Sequence, residues 1–377
     1  MPTKILAEDK NTLNKGSIDS LSLIPVSEYR TTLRKFLKEE YFQNDRKHII
    51  LYFISMAIFL CGIYINLNIQ SVLLKLLLSF IMGIALTSLT FFLHDLFHGS
   101  IFSSKKVQYL LGLSIGIFNL FPPLFWKRVH SYHHVRTGNL DDPDRSYIKS
   151  ETPKNIIEKI GYKTRITNEA FHPMLSLIMM STGFLFYFSN ALLSSFFPST
   201  ILATNKCKTV HLLFKIEEKI FIFFEILLIF SFQFFLFKYV SGGNLFNYFF
   251  ISLLPIGIAH FTAMLYIHTN HFLSPLTGEM DDPLINSLSL KNSLFVDKLF
   301  SNFSHHTEHH LFPSMGSVYY PKVRKLLLKL YPERFRLIPM SEAIKSLMKT
   351  PRIYYDYTHL VTYDGKTITE CPTLIKK

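Results

Sequence analysis

Residues 72–98 read VLLKLLLSFIMGIALTSLTFFLHDLFH. The stretch Val72–Leu93 is long and apolar enough to cross a bilayer, which takes about 20 residues. It runs straight into His94-Asp95-Leu96-Phe97-His98. In a helix, positions i and i+4 share a face, so His94 and His98 point the same way. A span that delivers two aligned imidazoles to one membrane interface decides both the fold class and the place to look for chemistry.

Three further stretches pass the same test: Ile49–Ile65, Ile220–Phe237 and Leu245–Ile267. The turns 66–71 and 238–244 are short and carry little charge, which predicts an all-α membrane protein with its four spans in two hairpins. Arg30, Arg34, Lys35, Lys38, Arg46 and Lys47 precede the first span, and the long middle region and the tail are also basic. By the positive-inside rule both termini and the middle region are cytoplasmic. The expected location is a bacterial cytoplasmic membrane. Two more apolar stretches, Val107–Phe125 and Met174–Phe197, are broken by Gly, Pro, Asn and Ser. They are expected to be re-entrant or interfacial helices, because a crossing at Val107–Phe125 would put the histidines before and after it on opposite sides. The expected organisation is a cytosolic segment 1–48, a membrane-embedded catalytic region 49–317 and a cytosolic segment 318–377, with a helical cap over the spans.

Composition agrees. The 377 residues are 49% hydrophobic and only 18% charged, which excludes a disordered chain. Cys61, Cys207 and Cys371 are too few and too scattered for a disulfide scaffold. The net charge of +13 would suggest nucleic acid in a soluble protein, but in so apolar a chain it reads as loops facing an anionic leaflet. No nucleic-acid partner is expected. The first 48 residues lack the apolar core of a secretory signal. The basic stretch Lys322–Lys329, interleaved with leucines, is expected to pack on the membrane surface or on the cap.

Sixteen histidines are the unusual count. Beyond His94 and His98, they gather as His130-Ser131-Tyr132-His133-His134 and His305-His306-Thr307-Glu308-His309-His310. Each H-x-x-H-H presents three imidazoles over one helical turn. Metals need several neutral donors within about 2 Å, and rigid helix turns supply them. A further pair, His268 and His271, closes the fourth span. The candidate ligands are His94, His98, His130, His133, His134, His271, His306, His309 and His310, too many for one metal and suited to two. His268 and Asn270 are weaker candidates. Asp95, Asp142 and Glu308 are expected to orient imidazoles rather than to ligate. His48, His172, His211, His260 and His359 are isolated and read as structural.

The three boxes H-x-x-x-H, H-x-x-H-H and H-x-x-H-H resemble those of the membrane fatty acid desaturase superfamily. Their flanks do too: Asn139 and Asp142-Pro143-Asp144 follow the second box, and Leu311-Phe312-Pro313 follow the third. The resemblance covers about residues 70 to 330. It implies cytosolic helices over four spans, a histidine-ligated pair of irons, O2 as cosubstrate, and an extra ligand best matched by Asn270-His271. Box three opens with His306 rather than Gln, which disfavours a front-end enzyme. With no His-Pro-Gly-Gly haem motif, electrons must come from a separate donor, a ferredoxin or a cytochrome b5 with its reductase.

The implied reaction is introduction of a double bond into a fatty acyl chain. Alkyl C–H bonds are neither acidic nor electrophilic, so only a strongly oxidising metal–oxygen chemistry can remove their hydrogen. Phe91, Phe92, Phe97 and Trp126 are expected to wall an acyl tunnel. The same ligands would serve a lipid hydroxylase or ketolase. A His-rich metal transporter is a rival of another class, but it would place its site near the midplane of repeated halves.

Overall fold

A computed structural model describes residues 21–139, 142, 178, 180–196, 214–351, 353–362 and 365–375. The chain is mainly helical. Four helices are long and apolar enough to cross a membrane: Ile49–Asn68 (α2), Val72–Phe97 (α3), Ile216–Val240 (α7) and Leu245–His271 (α8). Their outer faces carry Phe53, Ile54, Leu73, Leu77, Phe221, Phe224, Phe230 and Phe234, all more than half exposed. Water would not tolerate so broad an apolar surface. This is an integral membrane protein.

α2 and α3 are joined by residues 69–71 and lie against each other, with Phe59 and Ile63 packed on Met82, Leu86 and Leu89. The other face of α3 meets Ile256 and Ala259 of α8. The second pair departs from a simple hairpin. α7 and α8 hold together near their turn, where the Gln233 amide oxygen accepts from Tyr248 (2.9 Å) and Ser252 (2.8 Å). Away from the turn α7 packs on Lys105–Asn119 (α4), Pro123–Arg136 (α5) and Gly183–Phe196 (α6). Those helices satisfy polar groups and fill space that an adjacent span would otherwise take.

The stretch Val107–Phe125 is not one helix. α4 ends at Asn119, Leu120 adopts a left-handed conformation (φ 56°), and Pro122-Pro123 start α5 at a bend of 104°. Proline at the first helical position costs nothing, since its missing N–H had no partner there anyway. The chain folds back so tightly that a Cβ on Gly116 would lie 2.6 Å from the Phe121 carbonyl oxygen. Of Met174–Phe197, residues 174–177, 179 and 197 lie outside the described residues, and α6 covers the rest from Gly183.

On the histidine side, Val26–Arg34 (α1), His306–Leu311 (α9) and Tyr320–Leu330 (α10) share a core of Tyr29, Leu33, Leu311, Phe312, Tyr320, Val323 and Leu327. α10 buries positions 320, 323 and 327, a helical stripe, and leaves Lys322, Lys325 and Lys329 exposed. The basic leucine-rich stretch therefore packs on this helical layer. Beyond it come Met340–Lys349 (α11), a parallel pair Ser289–Lys291 with Leu337–Pro339, and a three-stranded antiparallel sheet of Ile353–Tyr354, His359–Val361 and Ile368–Glu370.

Candidate metal centre

Four helices converge on one place. The end of α3 carries His94 and His98, α5 carries His130, His133 and His134, α8 ends on His271, and α9 carries His306, His309 and His310. α5 stops after its histidines because Gly138 takes a left-handed turn (φ 78°). A Cβ there would lie 2.6 Å from the Thr277 hydroxyl. All nine imidazoles meet in two adjoining groups. His94, His98, His130, His134 and His309 offer donor atoms within 4.8 Å of one another, and so do His133, His271 and His310. His306 joins the second group, its Nε2 lying 2.7 Å from that of His271 and 3.1 Å from that of His310.

The spacing distinguishes a metal cage from a hydrogen-bond network. In the first group, Nε2 of His130 is 3.0 Å from His98 Nε2 and 3.1 Å from His134 Nε2, and His134 Nε2 is 3.0 Å from His309 Nε2. Each Nε2 has a single in-plane site, either a lone pair or a proton, so it cannot serve two neighbours at once. Donors held at about 2.1 Å from one metal ion in octahedral directions lie about 3.0 Å apart. Nε2 of His94 is buried with no hydrogen-bond partner among the described residues. The donor set fits metal ions in both groups. Imidazole suits iron as well as zinc and copper.

The other ring nitrogens fix which atom faces inward. Nδ1 of His133 donates to Asp142 (2.7 Å), and Nδ1 of His94 faces Asp95 (3.2 Å). Nδ1 of His309 lies 2.9 Å from the Tyr320 hydroxyl, whose own hydrogen points to the Phe312 carbonyl at 3.5 Å. Thr137 repeats the device: its hydroxyl donates to the His133 carbonyl (2.7 Å) and its oxygen lies 3.4 Å from His310 Nδ1. In each case Nδ1 carries the proton and Nε2 presents its lone pair. Burial, reinforced by neighbouring imidazoles, pushes His98, His130, His134, His309 and His310 well below the usual histidine range, so they stand neutral as ligands must. Burial, with the nearby carboxylates of Asp95 and Glu308, holds the Tyr320 phenol protonated.

Glu308 has a different setting from the one expected. Its carboxylate takes a hydrogen bond from Arg324 Nε (2.6 Å) and another from the Ser289 hydroxyl. Arg324 also reaches the Leu290 and Ser304 carbonyls, so the pair ties down the flanks of α9. Arg30 of α1 does the same at the other end, donating to the carbonyls of Leu311 (2.6 Å) and His310 (3.2 Å). A cation at the last carbonyls of a helix also suits its dipole. Tyr320, Thr137, Arg30 and Arg324 carried no signal in the sequence, because their partners lie far along the chain.

Of the weaker candidates, His268 stacks on Phe272 (4.5 Å) and falls in neither group. Asn270 is fully buried, and neither amide atom has a hydrogen-bond partner among the described residues. His305 bonds Ser304. His260 donates from Nε2 to the Asn119 carbonyl (2.8 Å), closing the buried end of α4, and His48 meets Ser301. His359 pairs with Asp356. His172, His211 and Asp144 lie outside the described residues.

A narrow cavity of about 50 Å³ leads from His94, His130, His271 and His306 down to His260. Phe91 and Trp126 line it, together with Phe121, Tyr187, Met264 and Phe303. Phe92 instead packs in the core beside Tyr52, and Phe97 lies under Gly112. Half of the expected wall is therefore elsewhere, because successive aromatic residues on a helix face different ways.

The family model for fatty acid desaturases matches residues 70–341. The chain belongs to the fatty acid desaturase family. That stretch holds the four helices that supply the histidines and the carboxylates of Asp95 and Asp142. A fatty acid desaturase of Bacillus subtilis (strain 168) is 40% identical over 78 residues. The alignment spans 21% of this chain and 22% of that relative's length.

Proposed function

We propose that this chain is an O2-dependent desaturase that introduces a double bond into a fatty acyl chain. The observation that carries the reading is the pair of adjoining imidazole groups at the head of an apolar cavity inside a membrane protein. His94, His98, His130, His134 and His309 would hold one iron ion, and His133, His271, His306 and His310 the other. Asn270, buried without a partner, would reach the second ion through water. Bound there, the irons would supply the O2-derived oxidising power that unactivated C–H bonds require.

The chain's own residues do the rest. Asp95, Asp142, Tyr320 and Thr137 keep the protons on Nδ1 and the lone pairs inward. Phe91, Trp126 and Phe303 would keep water from the reacting methylenes. About 50 Å³ holds only one or two waters, so an acyl chain enters by displacing flexible side chains, Met264 above all. The fall of O2 to two waters takes two electrons from the C–H bonds and two from a separate donor protein, a ferredoxin or a cytochrome b5. The basic segments support a cytoplasmic side for both termini and the histidine layer, in what we propose is a bacterial membrane.

The test is expression in a host of defined lipid content, with fatty acid profiling and double-bond positioning, beside metal analysis of the purified protein. New unsaturated chains and two irons per chain are expected. An unchanged lipid profile from protein that carries its metal, or full activity in His309→Ala, overturns the reading.

A further inference from the structure

The motif Leu311-Phe312-Pro313 closes the third histidine box, yet nothing in the ligand set uses it. It forms the floor of an open concavity of about 470 Å³ whose walls are Arg30, Thr31, Arg34 and Phe42. Among the described residues no carboxylate lines it. Arg30 reaches across to the His310 and Leu311 carbonyls, and the Arg34 guanidinium lies over the Phe42 ring at 3.5 Å while its Nη2 donates to Glu39 (2.6 Å). Beneath the floor the path to the metal groups is short and continuous. The Phe312 carbonyl accepts from Tyr320, and the Tyr320 oxygen accepts from His309 of the first group. By the peptide chain, Leu311 is bonded directly to His310 of the second. Among the described residues this is where an open, positively charged surface comes within one residue of both groups.

The surrounding face keeps the same sign. Lys35, Lys38, Arg46 and Lys47 are exposed on the N-terminal segment and Lys322, Lys325 and Lys329 on α10, against exposed Glu28, Glu39 and Glu40. Aromatic and apolar floor, cationic rim and no internal carboxylate are the features of a surface that captures a negatively charged protein by steering.

We propose that this concavity is the docking site of an acidic one-electron carrier protein, from which electrons enter through Leu311–Phe312 and Tyr320 to His309 and His310. Each docking would oxidise the carrier's iron–sulfur or haem group by one electron and reduce one iron of the pair by one; two such transfers serve each turnover. The proposal rests on the desaturase reading above and adds the place where its donor binds.

The experiment uses the iron-loaded full chain in detergent, with a plant-type [2Fe–2S] ferredoxin as probe, and reads binding by thermophoresis at low and high salt. Wild-type protein is expected to bind, more weakly as salt rises. The double variant Thr31→Glu with Arg34→Glu is expected to weaken binding at least about tenfold. Thr31→Glu alone, which gives up only the local hydroxyl bond to the Ser27 carbonyl (2.8 Å), should do so in part. Lys349→Glu on α11, also an exposed basic position, should leave binding alone, and retained iron content reports an intact fold. Equal binding by all variants overturns the proposal. So does lipid desaturation driven by dithionite in protein that never binds the carrier, or a loss that appears with anionic vesicles and not with ferredoxin. Carrier binding through Arg34 in a protein that leaves lipids untouched would instead overturn the desaturase reading and leave the docking site standing.

Discussion

The two ends of the helical bundle bury polar groups in opposite ways. At the far end Lys75 donates to the Asn66 carbonyl (2.6 Å), Asn66 returns a bond to the Lys75 carbonyl (3.1 Å), and Ser79 bridges to the Phe250 carbonyl. Gln233 satisfies Tyr248 and Ser252 with its oxygen, and with its nitrogen it donates to the Ile117 carbonyl. Each of these donors finds an acceptor inside the protein, as the membrane demands. At the histidine end, Nε2 atoms crowd to about 3 Å with one in-plane site each and more than one neighbour, and neither amide atom of Asn270 has a partner among the described residues. The far end satisfies its donors internally, leaving only the Asn66 Oδ1 of this network without a partner among the described residues; the histidine end gathers ring nitrogens in an arrangement that suits cations.

Five outcomes would test that contrast. The largest is loss of a ligand: His309→Ala and His271→Ala should each cut iron retention and activity by more than about 100-fold, measured by metal analysis and product assay. Gln233→Leu should leave iron content unchanged. If instead the far-end change releases iron, the two ends are not independent.

Next come the residues that hold Nδ1 protons. Tyr320→Phe removes the acceptor of His309, and Asp142→Asn weakens that of His133. Each should cost about 10- to 100-fold in metal affinity, read by chelator competition. Acid should act on the same end. The imidazoles of His98, His130, His134, His309 and His310 have folded values below the usual 6.5 or so, so between those values and 6.5 the unfolded chain binds more protons. Their contribution to stability is whole above about pH 6.5 and falls as pH drops through that range. Iron release and unfolding should therefore advance together on acidification.

Smaller effects belong to the far end and the surface. Lys75→Met leaves the Asn66 carbonyl only the longer bond from the Ile69 N–H (3.4 Å) and should cost about 0.5–1.5 kcal/mol, measured by thermal unfolding in detergent with iron content unchanged. Arg136→Ala breaks a pair with Glu279, which is 86% exposed, and should shift stability by less than about 1 kcal/mol.

Much of this was legible in the residues themselves. The spans follow from length and apolarity, and the first starts and second ends within a few residues of where hydropathy puts them: Ile49 and Phe97, with the helix running four residues past Leu93. The nine histidines follow from i, i+3 and i+4 spacing. What the spacing could not show is the sorting. His130 and His134 serve the first group while His133, between them, serves the second, and α9 is likewise split between His309 on one side and His306 and His310 on the other. Each residue turns a helix by about 100°, so a box spreads its rings over more than one direction, and only the neighbouring helices decide which direction meets which partner. Glu308 looked like an imidazole's partner by adjacency, but Arg324 and Ser289 claimed it first.

The order of residues alone settles that this chain lies in a membrane, that its helices end in imidazoles on one side, and which nine rings gather there. Hydrophobic length and helical period are local properties, and they survive without knowing any contact. The division into two groups, the hydroxyls of Tyr320 and Thr137 behind His309 and His310, and the bend that turns α5 under α3 all depend on packing between segments far apart in the chain. Those were decided by the tertiary structure, because a tautomer or a cage exists only once its partners are held within bonding distance.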